Sequence, residues 1–325
     1  MTHDDILKVA MGYQASRVLL TGVELGVFTV IGDGETTSAD VAAALHTDPR
    51  ATDRLLNALS ALGFLTKQDG RVRNSAAARQ FLVRTSPGYM AGLGHTSSMW
   101  RTWSGLSDSV RTGQPAMGNV INDRGGDWLE PFIAAMHYRA ARQADPIVGV
   151  LDLSNVERVL DVGGGSGAFA MAFARREPGL RAVVFDLPNV LPLTRRYIEE
   201  AGFSSRVTTV VGDFNTDPLP GGFDLIFLSA IVHGNSAKEN AALIGKCAAA
   251  LNPGGRVAIV DWVMDDERVQ PTTGAMFALN MLVGTGAGDT FTESEIRGWF
   301  VGADLTTVAR QSTPFGTDIM TATKE

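Results

Sequence analysis

Five polar residues recur where apolar runs end in the second half of the chain: Asp161, Asp186, Asp213, His233 and Asp261. Four carboxylates and one imidazole can hold a cation, accept bonds from hydroxyls and move a proton. The first of them stands in residues 157–167, ERVLDVGGGSG. There an apolar strand (Val159, Leu160, Val162) meets Asp161 and runs into a glycine turn. Gly163, Gly164, Gly165 and Gly167 have no Cβ, so a ligand can lie against the backbone. The helix that follows offers free N–H groups and a positive dipole end. Residues 165–170 fit the G-x-G-x-x-A nucleotide pattern, and Asp186 follows 21 residues after Gly165, as a partner for ribose hydroxyls. Two ligands compete for such a turn. A dinucleotide needs its diphosphate held there, whereas S-adenosylmethionine has no phosphate and carries an ammonium, a carboxylate and a sulfonium. Asp161 suits the ammonium and repels a diphosphate. Its bland alternative is a cap on local N–H groups, but an acid ending a buried strand requires a partner.

The elements around these residues alternate strand and helix. Residues 157–162, 181–186, 206–211, 223–232 and 256–262 read as buried strands. The glycine turn is predicted to open a helix with Phe169, Ala170, Phe173 and Ala174 apolar, and further helices are predicted over 189–201 and 236–251, the last stopped by Asn252-Pro253-Gly254-Gly255. A further helix over 291–301 follows a Thr292 cap, and strands 305–309 and 318–322 close the chain as an antiparallel pair. This order predicts an α/β fold: a Rossmann-like doubly wound sheet, mostly parallel with an antiparallel last strand. Ligands of such sheets lie at the carboxyl ends of the strands. One acid there can be a helix cap; five polar ends together predict a nucleoside site.

The first half reads differently. Residues 4–30 have helical spacing, with Gly22 and Gly26 marking a break or close packing. Ser38 is the expected cap of a helix through Leu45, and Asp48-Pro49 opens a second helix over 49–62. Strands 64–67 and 71–74 flank Asp69-Gly70, a hairpin signal. Helices followed by a hairpin suggest a winged helix, and hence DNA. Residues 1–92, however, hold nine basic and nine acidic side chains, and a balanced domain lacks the counterion-release contribution to DNA affinity. The domain is therefore expected to mediate self-association. Residues 88–126 read as a connector whose Trp100 and Trp103 serve either core packing or the wall of an aromatic pocket. A long helix over 128–150, interrupted near Pro146, leads into the sheet. The expected layout is 1–95 as a winged-helix dimerisation domain, 96–150 as a helical connector contributing to a substrate pocket, and 151–325 as a cofactor-binding catalytic domain. The 325 residues are 45% hydrophobic with a formal net charge of -7, which favours neither nucleic acid nor an anionic membrane. The acidic start MTHDDILK is unlike a signal peptide, and the longest charge-free run, 269–288, is broken by proline and glycines. The expectation is a cytoplasmic protein without a membrane span. The single Cys247 excludes an internal disulfide and a cysteine metal cluster.

DVGGGSG, FDLP, GDF, IVH and LNPGGRVAIVDWV, in that order, resemble the class I S-adenosylmethionine-dependent O-methyltransferases of the caffeate and hydroxyindole type. The resemblance covers most of the chain, because the N-terminal module matches that family's dimerisation domain. It implies a homodimer, S-adenosyl-L-methionine as cofactor, no metal, and a small-molecule aromatic acceptor. Position by position, it implies that Asp161 and Gly163 meet the methionine end, Asp186 the ribose, and Asp213 and Phe214 the adenine, with Ser229 on the adenine side and Gly165 also at the cofactor. His233 falls on the catalytic base and Asp261 on the carboxylate that orients it. Met136, His137 and Trp262 are implied pocket walls. Two positions depart from the family's usual pattern. Gly234-Asn235 replaces the Asp-Trp that relatives carry after the base, and Thr290 stands where they carry Glu, with Asp289 beside it as the expected substitute.

The chemistry so implied is general-base catalysis. A phenol has a pKa about 10, an imidazole titrates near about 6.5, and proton removal is worth roughly 10²–10⁴ in rate. The departures keep a second possibility open: a cofactor-binding relative that methylates carbon or nitrogen, or that performs hydroxylation, decarboxylation or cyclisation. A winged-helix ligand-sensing regulator and a dinucleotide oxidoreductase stand further off.

Overall fold

The computed structural model describes residues 1–115 and 126–325. It divides into two units, residues 1–100 and 101–325. In the first, α1 (His3–Leu25) starts from a reciprocal cap: Thr2 accepts from the Asp5 N–H and Asp5 from the Thr2 N–H. The helix stops at Gly26, φ +80°, and α2 (Val27–Ile31) begins there. Gly22 serves close packing, since a Cβ would sit 3.1 Å from Leu59 and Phe28. Next come β1 (Thr36–Thr37) and α3 (Ser38–Leu45). The cap of α3 is Thr37 and not Ser38, because Thr37 finds Asp40 at the third helical position for the reciprocal bond. The Ser38 hydroxyl instead donates to Asp53 at 2.7 Å. Asp48 caps α4 (Pro49–Ala61) through the Ala51 N–H, with proline first in the helix. β2 (Leu65–Gln68) and β3 (Arg71–Asn74) pair antiparallel across Asp69 and Gly70, both at positive φ as a tight hairpin turn requires. Phe28, Val41, Leu56, Leu59, Leu65 and Val72 form the core, with Ala78 of α5 (Ala76–Leu82). The first turns of α1 contribute nothing to it: Ile6, Leu7, Val9 and Tyr13 are exposed.

α6 (Gly92–Ser104) crosses the division between the units and is followed by α7 (Leu106–Thr112). Residues 116–125 of the expected connector lie outside the described residues. α8 (Gly126–Val150) runs unbroken through Pro131 and Pro146, contrary to the expected interruption. Proline costs a helix one hydrogen bond. Burial of Ala144, Ile147 and Val148 in the core beside α9 (Ala168–Arg176) offsets that loss.

The sheet of the second unit contains β4 (Arg158–Val162), β5 (Arg181–Asp186), β6 (Val207–Val211), β7 (Phe223–Ser229), β8 (Leu251–Asp261), β11 (Leu305–Ser312) and β12 (Asp318–Lys324). The short parallel pair β9 (Val263–Met264) and β10 (Phe291–Thr292) stands apart from it. The order across the large sheet is β11-β12-β8-β7-β4-β5-β6. β4 to β8 are mutually parallel, and β12 runs antiparallel to both β8 and β11. Successive residues serve opposite faces. Val159, Phe227 and Val260 face Phe169 and Phe173 of α9; Leu160, Ile226 and Ile259 face Leu243 and Ile244 of α11 (Ala237–Ala250) and Phe300 of α13 (Glu293–Gly302). α10 (Leu191–Glu200) links β5 to β6. The strand order reverses direction at β4, which puts a crevice beside its carboxyl end.

Three local readings need correction. β7 ends at Ser229 and not at residue 232: Ala230 takes φ +58° and turns the chain out of the sheet, so His233 sits in a 3-10 turn (Val232–Gly234) beyond the strand. The stretch from Asn252 to Gly255 lies inside β8, where the pairing with β7 slips register between Phe223 and Leu225. The charge-free run at 269–288 contains α12 (Thr272–Gly284), which the expected element list lacks. Its apolar residues and glycines lie all round the helix, so no amphipathic stripe betrays it. Among the described residues no helix is long and apolar enough to cross a membrane.

Candidate functional site

The glycine turn after β4 encloses two carboxyls. Asp161 is 1% exposed, and one oxygen accepts the Ala170 N–H at 3.2 Å. Burial pushes its pKa up to about 7, since an isolated buried carboxylate is costly. A Cβ on Gly164 would lie 2.6 Å from the Asp161 carboxyl, so glycine keeps that side open. Gly163 is at φ +64°, and a Cβ there would overlap Ile231. Asp186, also buried, accepts from the N–H groups of Gly165 at 2.8 Å and Leu187 at 2.7 Å, and burial raises its pKa too. Those two bonds leave part of its acceptor capacity free, because a carboxylate offers about four lone-pair sites.

Across the crevice, the Gly212–Asp217 loop carries Asp213 and Phe214, both half-buried. Asp213 accepts the Asn215 N–H at 2.8 Å. Lys246 of α11 clamps this loop by donating to the carbonyls of Phe214, Asn215 and Asp217 at 2.8–3.0 Å. A Cβ on Gly212 would overlap Phe185, so the loop leaves β6 against that ring. Ser229, half-buried, closes β7.

Next to this crevice, His233 Nδ1 lies 2.9 Å and 3.0 Å from the two oxygens of Asp261. The Asp261 side chain is 2% exposed and that of His233 is 14% exposed. A ring nitrogen held by a carboxylate carries the proton, which leaves Nε2 as the acceptor. Around the imidazole stand Phe277 of α12 at 4.8 Å and Trp262 at 5.9 Å, and these two rings stack on each other at 3.9 Å. Gly274 lets α12 approach Trp262, since a Cβ would overlap Met264 and sit 3.4 Å from Trp262. Gly288 does the same for the loop over His233, whose carbonyl accepts the Asp289 N–H at 3.0 Å.

The expected residues are not all brought together. Asp289 does not reach the imidazole. Its carboxylate accepts from Arg268 at 3.3 Å and from the Thr290 N–H at 2.8 Å, because Arg268 also bonds the Thr290 carbonyl and Glu295 and fixes that corner. His137 lies at the glycine turn, with Nδ1 2.8 Å from Ser166 Oγ and its ring stacked 4.1 Å from Tyr197; burial lowers its pKa. Met136 lies one position round α8, on a different face, half-buried. Trp262 lies beside His233, its ring 5.9 Å from the imidazole. Trp103 donates to Asn280 of α12 at 3.0 Å, whereas Trp100 sits with Tyr13 and Arg17 in the first unit. At the departure after His233, a Cβ on Gly234 would meet nothing within 4 Å. Asn235 is buried and bonds Asn215 and Asn240, tying the His233 turn to the Asp213 loop. Phe277, Ser166, Tyr197, Lys246 and Arg139 escaped the sequence reading. Only Arg139, three residues after Met136, carried a usable helical-spacing signal.

The model of the O-methyltransferase domain matches residues 103–304, and that of the O-methyltransferase dimerisation domain matches residues 7–84. The chain belongs to the O-methyltransferase family. It is an S-adenosylmethionine-dependent O-methyltransferase with an N-terminal dimerisation domain. A curated relative, 3-hydroxy-5-methyl-1-naphthoate 3-O-methyltransferase of Streptomyces sahachiroi, is 34% identical over 297 residues, covering 90% of this methyltransferase and 86% of the relative. The solved structure of PigF with SAH superposes with a TM-score of 0.92 at 26% identity, covering 100% of both chains. Human N-acetylserotonin methyltransferase in complex with SAM gives a TM-score of 0.86 at 26% identity, covering 100% of this chain and 98% of that one. The fold of this methyltransferase and its cofactor are thereby established.

Proposed function

We propose that the protein methylates a hydroxyl of a small aromatic molecule, with His233 as general base and Asp261 as the group that orients it. The observation that carries this reading is the buried Asp261 carboxylate 2.9 Å from His233 Nδ1, beside the stacked rings of Trp262 and Phe277. Asp261 keeps the imidazole in the tautomer that accepts at Nε2 and stabilises the imidazolium formed there. His233 takes the hydroxyl proton while the oxygen becomes nucleophilic, an assistance worth roughly 10²–10⁴ in rate. The two aromatic faces hold a flat acceptor and exclude water. Bound S-adenosylmethionine supplies a methyl on a sulfonium that leaves as a neutral thioether.

The residues around the glycine turn fit that cofactor. Asp161 is a buried acid in need of a cation, and the Gly164 side of it is open, which suits the methionine ammonium. Gly163 and Gly165 form the wall, Asp186 serves the ribose diol, and Asp213, Phe214 and Ser229 serve the adenine. Met136 and Trp262 remain acceptor-side walls; His137, bound to Ser166, belongs to the cofactor side. The layout of a dimerisation module at 1–95, a pocket-forming connector at 96–150 and a catalytic domain at 151–325 goes with this reading, as does a homodimer through the exposed apolar residues of α1.

The test is product analysis. Purified protein given a phenolic acceptor should release S-adenosylhomocysteine and a product heavier by one methyl. His233→Ala and Asp261→Asn should each lower kcat about 10²-fold or more while cofactor affinity holds. Full turnover in His233→Ala removes that residue as base, and an oxygen-unmethylated product removes the reaction itself.

A further inference from the structure

Arg139 is a charged group beside Trp262 that the proposed reaction does not use. Its guanidinium carbon lies 4.9 Å over the Trp262 ring. Trp262 in turn is 5.9 Å from the His233 ring and stacks on Phe277. Among the described residues, no hydrogen bond and no ion pair engages this guanidinium. It feels only the Trp262 face and the charge of Asp261, and burial pulls its pKa below the ordinary value. Two arginines at α8 have carboxylate partners, Arg175 with Asp145 at 2.5 Å and Arg196 with Glu130 at 2.6 Å; Arg142 and Arg176 donate to the Tyr138 hydroxyl and the Val148 carbonyl, whereas Arg139 has neither kind of partner among the described residues. Arg139 is half-buried, and a guanidinium cannot shed its proton to escape desolvation, so an anion beside it is favourable. Asp261 bonds His233 and the Trp262 N–H and makes no hydrogen bond to Arg139; it acts on the guanidinium through its charge alone.

The direction of Arg139 separates it from the cofactor crevice. On α8, Ile133 and His137 share the stripe that meets the glycine turn, with Ile133 4.0 Å from a Cβ built on Gly165 and His137 bonded to Ser166. Arg139 is two residues beyond His137, about 200° round the helix, on the face of Met136 and Trp262.

We propose that Arg139 anchors an anionic group of the acceptor, and that the acceptor is a hydroxyaromatic carboxylic acid. This deepens the O-methylation reading and rests on it for the position of the hydroxyl. The guanidinium carbon and the imidazole centre are no further apart than the 4.9 Å and 5.9 Å legs that meet at Trp262. One or two fused rings with a hydroxyl at one end and a carboxylate at the other cover that span once a hydrogen bond is added at each end. A carboxylate matches the planar fork of arginine with two parallel bonds, whereas a neutral amide or ester offers one acceptor.

Calorimetry of the S-adenosylhomocysteine-loaded protein tests the proposal, using hydroxybenzoates and hydroxynaphthoates, each beside its own primary amide. Wild type should bind at least one acid at least about tenfold more tightly than the matching amide, the range of a charge-assisted bond. Arg139→Leu and Arg139→Gln should both erase that preference by weakening the acid alone, and Arg139→Lys should restore part of it. S-adenosylhomocysteine affinity should stay unchanged in all three, which also reports that they fold. A wild type with no preference for any acid overturns the proposal. So does an equal loss for acid and amide, which makes Arg139 a structural support. A loss of cofactor affinity with the preference intact overturns it too, and assigns Arg139 to the cofactor's carboxylate. An acid preference that survives in wild type without any methyl transfer sinks the O-methylation reading and leaves the anchor standing.

Discussion

Asp161 offers the sharpest test of the cofactor assignment. Burial moves its carboxyl from the ordinary 3.8 up to about 7. A tenfold change in acidity is worth about 1.4 kcal/mol, so charging this group inside the free fold costs roughly 4 kcal/mol more than charging it in the unfolded chain. The folded state therefore holds a proton that the unfolded chain releases. That contribution to stability is fully present below about 3.8 and is lost as pH rises through about 7. An ammonium beside the carboxylate reverses the preference and expels the proton. Cofactor binding below about 7 must then release a proton, and affinity must fall with pH. Between about pH 8 and about pH 6 the ionised fraction of the free carboxyl drops from roughly nine-tenths to roughly one-tenth, so Kd should weaken about tenfold. Titration calorimetry in two buffers of different ionisation heat reads both the Kd and the proton released. Asp161→Asn should bind more weakly at the higher pH and lose the slope. A flat Kd across this range in wild type, or an Asn variant that binds as tightly as wild type, refutes the pairing of Asp161 with the ammonium.

Two further expectations concern the frame. Gly163→Ala places a Cβ into Ile231 at φ +64°; left-handed backbone and overpacking together cost about 3 kcal/mol, so a thermal melt should fall by roughly 10 °C. Gly234→Ala, where a Cβ meets nothing within 4 Å, should melt like wild type, and equal melts for the two variants would show that the close approach at Gly163 is not constraining. Val9 is 78% exposed on α1 in the single chain; if this face pairs two copies, Val9→Glu should convert a dimer into a folded monomer in sedimentation, and an unchanged dimer moves the interface elsewhere.

The centre of the sheet was readable because β4, β5 and β7 bury both faces over most of their length and therefore appear as short apolar runs followed by a polar residue, as at Asp161 and Asp186. The hairpin at Asp69-Gly70 and the cap at Asp48-Pro49 were readable because backbone geometry alone demands those residue types. α12 was not, since a helix apolar on every side has no period to detect, and with it went Phe277. The strand before His233 stops at Ser229 although the apolar run resumes through Ala230, Ile231 and Val232; the left-handed turn at Ala230 comes where the pairing of β7 with β8 ends.

Linear order thus specified the apolar strands and the carboxylates that follow them, which are local matters of pattern and charge. Which acid stands beside His233, and which does not, is a matter of three dimensions. Asp261 and Asp289 are both acids placed near the imidazole, yet Arg268 draws one away while β8 delivers the other to 2.9 Å. Arg139 is the same lesson in reverse. Helical spacing put it near Met136, but only the packing of α8 over Trp262 left its charge without a partner, because pairing depends on what other chain segments bring within reach.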